Sequence, residues 1–222
     1  MLATSRGQDP QRALGRRALR AGLSVAAKLS FALGALCAAL FVLAQTDRSV
    51  ASASALDAFR EVQLTALAHA PDQSTWSTQR QAGYREALAE TFDSPPGVLE
   101  IPALKLTIPI FAGTSELVLN RGVGWIEGTA MPGEDGNVGL AGHRDGYFRG
   151  LKDLKLGDTI EVQSVDRTMR YRVSSLEIVE PTDVSVLDPT DVPSITLVTC
   201  YPFYYIGSAP QRYILRGTLD PT

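Results

Sequence analysis

The sequence predicts a mostly β fold: a closed barrel of about eight strands with short helices, preceded by one transmembrane helix and a helical connector. Three observations carry this expectation. After residue 97 the chain breaks into short apolar runs separated by Gly, Pro, Asp and Asn, the pattern of a barrel or sandwich, and helices are too few there for an α/β fold. Between residues 46 and 94 the apolar residues instead recur at rough helical spacing. Residues 21–44 form a nearly unbroken apolar stretch. A chain of 222 residues suits one compact domain with an appendage. Its 45% hydrophobic and 20% charged residues exclude collagen-like and wholly disordered classes.

Taken in order, residues 1–20 are a basic head. Six Lys/Arg (Arg6, Arg12, Arg16, Arg17, Arg20, Lys28) stand against Asp9 alone before residue 45, so this end is net positive while the whole chain carries −3. The remaining body is therefore strongly acidic, which argues against nucleic-acid binding. Residues 21–44 would make roughly 36 Å of helix at 1.5 Å per residue, enough for a hydrocarbon core of about 30 Å if Lys28 snorkels to the near interface. The arginines before it predict a cytoplasmic N-terminus and an exported body. A cleaved signal peptide ending at Val42, Leu43 and Ala44 is the competing reading. Under either one, Cys37 is separated from Cys200, which becomes an unpaired thiol in a compartment where disulfides are usual.

Residues 45–97 read as the connector. Val50, Leu56, Phe59, Val62, Leu64 and Leu67 give a first helix, Pro71 and Asp72 interrupt it, and Trp76, Tyr84, Leu88 and Phe92 give a second. His69 has no Cys or acidic partner nearby and reads as a surface residue. The prolines at 95 and 96 close the connector. From 98 to 222 strands are expected at 98–101, 106–111, 137–143, 159–165, 168–179, 194–200 and 212–219, with short helical turns at 115–120 and 147–154.

The chain holds only two Cys and two His, too few for a disulfide scaffold. In the body the one His after the connector, His143, and the one Cys, Cys200, each end a predicted strand, where a barrel rim presents functional side chains. A free thiol with a reference pKa near 8.5 is only about 3% thiolate at pH 7, so a nucleophilic Cys200 needs a neighbouring base or cation. Arg212 begins the next strand and would supply a fixed positive charge to an oxyanion. Arg216, four residues on, shares its face. The competing reading makes His143 a turn residue, Cys200 a small core hydrophobe and Arg212 a surface charge. Asp145 either orients the imidazole or serves a turn or salt bridge. Thr199 is a candidate substrate contact, with strand packing as its alternative. Calcium would need clustered carboxylates; Glu127, Glu134 and Asp135 are near in sequence, with turn solvation as the simpler role, and no cofactor is expected.

A papain-like order is impossible because no His follows Cys200. His, then Cys at a strand end, then Arg about a dozen residues later is the order found in sortases. TLVTC (196–200) resembles the sortase TLxTC signature, AGHRD (141–145) the segment bearing the family histidine, and YPFYYIGSAPQRYILRG (201–217) the loop and strand bearing its arginine. The likeness runs over about 98–218 and is strongest to class D sortases, where the Tyr-Pro-Phe after Cys and the Gly-Ser-Ala-Pro-Gln-Arg run are typical. It implies a sortase-type barrel and a membrane-anchored cysteine transpeptidase. Cys200 would be the nucleophile, His143 the general acid/base, and Arg212 the oxyanion stabiliser that helps hold substrate. The implied partners are exported proteins with an LPXT-type sorting signal and an amine from cell-wall peptide or pilin. A hydrolase using water with the same triad, and a non-catalytic exported binding module, remain open alternatives.

Overall fold

The computed structural model describes residues 56–204 and 207–220, together with a few helical positions between 30 and 37. The expected basic head and most of the expected 21–44 span lie outside the described residues. Among the described residues no helix is long and apolar enough to cross a membrane.

The connector is helical where apolar spacing predicts it: α1 covers 56–68 and α2 covers Thr78–Leu88, with Pro71 and Asp72 between them. Ser77 caps α2, its hydroxyl accepting from the Arg80 backbone N–H. Phe92 falls beyond the end of α2. The prolines that follow cannot continue a helix, and the first strand begins one residue earlier than expected.

Eight strands close into a barrel: β1 (Gly97–Ile101), β2 (Leu106–Ala112), β3 (Val123–Trp125), β4 (Asn137–Ala141), β5 (Thr159–Ser164), β6 (Thr168–Val179), β7 (Ser194–Tyr201) and β8 (Gln211–Leu219). Their order around the barrel is β1-β2-β3-β4-β7-β8-β6-β5, and β5 pairs back onto β1. Closure leaves no free edge. The strand that sequence patterning did not resolve is β3, whose three residues are too few to show an alternation. It is reached from β2 through helix α3 (Glu116–Arg121) and pairs with β2 in parallel, which a hairpin cannot do. The predicted turn near 147–154 is a 3₁₀ helix, Tyr147–Asp153.

Alternation sets inside from outside. In β6, Met169, Tyr171 and Val173 point inward and Arg170 and Arg172 outward. Leu99, Ile101, Ile108, Ile110, Val138, Leu140, Ile160, Val162, Ile195, Leu197 and Leu215 fill the interior with no solvent exposure, each contributing roughly 2 kcal/mol by burial. Phe148 and Leu151 of the 3₁₀ helix join the same core.

The connector also packs into this core. Trp76 lies edge-on to Tyr84 (5.8 Å) and to Tyr147 (5.0 Å), and the Tyr147 hydroxyl donates to the Arg121 carbonyl at 3.0 Å. Gly83 of α2 faces Asn120 of α3 so closely that a Cβ would sit 2.6 Å from the Asn120 side-chain nitrogen. The connector helix therefore behaves as part of the body. Trp76→Ala should lower stability by about 3–5 kcal/mol in chemical denaturation. A midpoint equal to wild type would mean that α2 is tethered to the barrel without being packed against it.

Candidate active site

The site follows from strand register. β4 and β7 run parallel with Ala141 opposite Val198. Two residues beyond that pair lie His143, just past the end of β4, and Cys200 of β7; the same register carried on sets them level and on one face, on chains about 4.8 Å apart, and both line one cavity. On the other side β7 pairs antiparallel with β8, and Cys200 is directly opposite Arg212. Direct partners share a face. The three residues therefore stand in a row across neighbouring strands with Cys200 in the middle. That face is the outer one, because the intervening Leu140 and Leu197 point into the core. β4 ends at Ala141 rather than at His143, and the Gly142 N–H extends the contact by bonding the Val198 carbonyl at 3.1 Å.

Two devices hold the register beside His143 and Cys200. The Thr199 hydroxyl donates to the Gly142 carbonyl at 2.7 Å, joining the residue before the cysteine to the residue before the histidine. Thr199 is 2% exposed, so it sits beneath the site and is not presented to a substrate. Gly142 is required by space: a Cβ there would meet the Phe148 ring at 2.6 Å. Beyond the histidine, Arg144 donates to the carbonyls of Pro202 (3.2 Å) and Gly207 (2.8 Å), tying the loop after β4 to the loop after β7. Phe203 anchors that second loop against Tyr213, ring centroids 5.2 Å apart.

His143 and Cys200 line one open cavity of about 940 Å³, walled by α2, the start of α3 and the loop after Cys200. Arg212 is placed by register at its side. The bonds of the Arg212 guanidinium to the Ala209 (3.4 Å) and Gln211 (3.1 Å) carbonyls both use Nη1, which leaves Nη2 and Nε without a partner among the described residues. Arg216 is committed elsewhere, bonding the Val186 carbonyl at 2.9 Å and lying 3.4 Å from Glu177. Arg149 stacks on the exposed Tyr204 ring at the rim, 4.8 Å from its centroid.

Of the charged groups around the imidazole, sequence reading named Asp145, with a salt bridge among its alternatives, and missed Arg80 and Glu116. Arg80 of α2 binds Asp145 Oδ1 (3.2 Å), Glu116 Oε1 (2.9 Å) and the Asn120 side-chain oxygen. Ser77 donates to Asp145 Oδ2 at 2.8 Å. Asp145 thus serves this network and does not hydrogen-bond the ring. Burial favours its neutral form, but the Ser77 hydrogen bond and the Arg80 guanidinium outweigh burial and hold its carboxyl below the usual range. His143 Nε2 is sealed from solvent and lacks a hydrogen-bond partner; Glu116 Oε2, at 3.4 Å, is too poorly directed to serve. Burial and then the Arg80 charge push the imidazole down to about 4, against the opposing pull of Glu116 and Asp145. The signal that would have found Arg80 is weak: an N-capping serine three residues before an arginine in a helix that looked like a spacer. His69 is exposed, as expected. Glu134 accepts from the Met131 N–H and Asp135 pairs with Arg167. Among the described residues no cluster of three or more His, Cys, Asp or Glu could hold a metal.

A closed eight-strand barrel with His, Cys and Arg side by side on its outer face is the arrangement of a cysteine acyl-transfer enzyme, and comparison with known proteins makes this specific. The model of the sortase domain matches residues 99–220, and Sortase D of Bacillus subtilis is 32% identical over 159 residues, covering 71% of this chain and 80% of that protein. The chain belongs to the sortase family and is a cysteine transpeptidase. Sortase SrtE1 of Streptomyces coelicolor is 42% identical over 141 residues, 55% of this chain and 39% of that longer protein. Among solved structures, a Clostridium perfringens Sortase D5 transpeptidase superposes with a TM-score of 0.54 at 25% identity, covering 77% of this chain and 98% of its own. A Streptococcus pneumoniae Sortase C, described for its pilin substrate specificity, gives 0.55 at 26%, covering 75% and 97%.

The Thr199 bond carries a test. Thr199→Val keeps the shape and leaves the Gly142 carbonyl without its donor, so stability should fall by about 1–3 kcal/mol while Thr199→Ser stays near wild type. Equal denaturation midpoints for Val and Ser would remove the bond from the list of register determinants.

Proposed function

We propose that the chain is a membrane-anchored sortase that cleaves an LPXT-type sorting signal at the cell surface and joins the product to an amine of cell-wall peptide or pilin. The observation that carries the reading is the register that sets Cys200 between His143 and Arg212. Cys200 Sγ attacks the threonine carbonyl of the signal while its proton passes to His143, which is neutral at pH 7 and so able to accept it. The oxyanion that forms would be stabilised by Arg212, which register sets opposite Cys200 and whose Nη2 and Nε have no partner among the described residues. The carbon–nitrogen bond then breaks, the imidazolium gives its proton to the leaving amine, and a thioester remains on Cys200. The incoming amine loses a proton to His143 as it attacks, and the thiolate leaves and is reprotonated.

The basic head and the apolar 21–44 stretch support a single span with the N-terminus in the cytoplasm and residues 45–222 outside. There the enzyme would meet substrates held by their own C-terminal spans. Incubating full-length protein with a sorting-motif peptide and an added amine should yield the amide, and Cys200→Ala should abolish the trapped thioester. A trapped adduct on another residue would overturn the nucleophile, and free acid as sole product despite added amine would make the chain a hydrolase. Protease added to intact cells should digest residues 45–222 and spare the N-terminus. The reverse pattern would overturn the orientation.

A further inference from the structure

We propose that Arg80, on the helix preceding the barrel, is a positioning residue of the active site, gripping Asp145 and Glu116 together and fixing the charges that face His143. The inference rests on the proposed role of His143 as proton carrier, and it extends the site beyond the barrel into α2.

The Arg80 side chain is only 12% exposed, while Glu116 is 69% exposed. Withdrawing a guanidinium from water costs several kcal/mol unless its donors are matched. Here every acceptor comes from an element bordering the site: Asp145 two residues after His143, and Glu116 and Asn120 on α3. Ser77 closes the arrangement by capping α2 and donating to the second Asp145 oxygen. The backbone leaves room for the contact at Gly146, where a Cβ would lie 3.3 Å from His143 Cβ and 3.4 Å from Arg80 Cδ. A helix that only docked could bury an apolar residue at position 80; Tyr84 on α2 and Trp76 just before its cap already pack into the core in that way.

The groups facing the imidazole are Arg80 from α2, Glu116 from α3, Asp145 from its own loop and Cys200 from β7, with Arg144 and Arg149 further round the cavity. Arg80 is the cation that disfavours a charged ring, and the two carboxylates favour one. Losing Arg80 leaves the carboxylates uncompensated, so the imidazole becomes more basic. Losing Glu116 acts in the opposite sense. A merely structural loosening would admit water and raise the midpoint in both variants.

The chain has two histidines, so a His69→Gln background leaves His143 as the single imidazole. Its protonation can be followed by NMR in detergent-solubilised full-length protein, independently of turnover. Arg80→Gln should raise the midpoint from about 4 by about one unit or more, and adding Glu116→Gln should bring it back down. Alkylation of Cys200, read on its own peptide apart from Cys37, should quicken about tenfold per unit because the ion-paired fraction scales with imidazole basicity. Should Arg80→Gln not fold, Arg80→Lys decides: a midpoint near wild type supports the assignment, and one close to 6.5 overturns it. An unchanged midpoint in Arg80→Gln, or a further rise on adding Glu116→Gln, also overturns it. Loss of thioester formation in Cys200→Ala is scored separately, so failure of one reading leaves the other standing.

Discussion

The parallel pairing of β4 with β7 is the constraint on which the rest of the site depends. A parallel pair needs a crossover, and here residues 142–193 leave the end of β4, build β5 and β6, and return. Because side chains alternate with a period of two, a slip of one residue would send His143 and Cys200 to opposite faces. The register is held from inside by Val138 against Ile195 and Leu140 against Leu197, all fully buried. Polar bonds hold it as well, one on each face. Asn137 accepts from Thr196 at 2.7 Å at one end, and Thr199 binds Gly142 at the other. Hydrophobic pairs discourage a slip by one; the two hydrogen bonds also penalise a slip by two, which would restore the faces but misalign the donors.

The same outer face explains why the cysteine is reachable. Thr196, Val198 and Cys200 lie along it, yet Thr196 is fully buried and Cys200 only partly. The difference is the turn at 185–188. Asn137 donates to the Val186 and Asp188 carbonyls, and Arg216 to the Val186 carbonyl, so this turn is fastened over the lower part of β4, β7 and β8. Above it the face is open. A guanidinium on β8 thus has two separate uses: Arg216 fastens the cover, and Arg212 stands beside the cysteine where the cover ends.

Strand runs with clear alternation, such as 168–179, were legible in the sequence because each buried residue leaves its mark at period two. β3 was not, since its short parallel addition depends on the α3 crossover rather than on its own pattern. His143, Cys200 and Arg212 were legible through scarcity and chain order. Arg80, Glu116 and Ser77 were not, because arginines and glutamates are common on exposed helices. What distinguishes these is burial and mutual contact, which only the packed chain reveals. Thr199 shows the opposite error: its place next to the cysteine in sequence suggested contact with substrate, but alternation turns its side chain to the other face.

The buried imidazole also divides the labour of the proposed reaction unequally. An imidazole with a pKa near 4 is about 0.1% protonated at pH 7, against about a quarter for an ordinary histidine. Such a ring is a weak base, so taking the thiol proton is the harder half-step. Its conjugate acid is correspondingly strong, so releasing a proton to the departing amine is the easier one. Amide cleavage is limited by expulsion of a poor leaving group, and a strong acid held beside the tetrahedral intermediate addresses that limit directly. Glu116 and Asp145 soften the bias by favouring the charged ring, against burial first and the Arg80 charge second. Burial and the balance among these three charges, one of them supplied by a helix outside the barrel, therefore tilt the ring toward giving up a proton more readily than taking one.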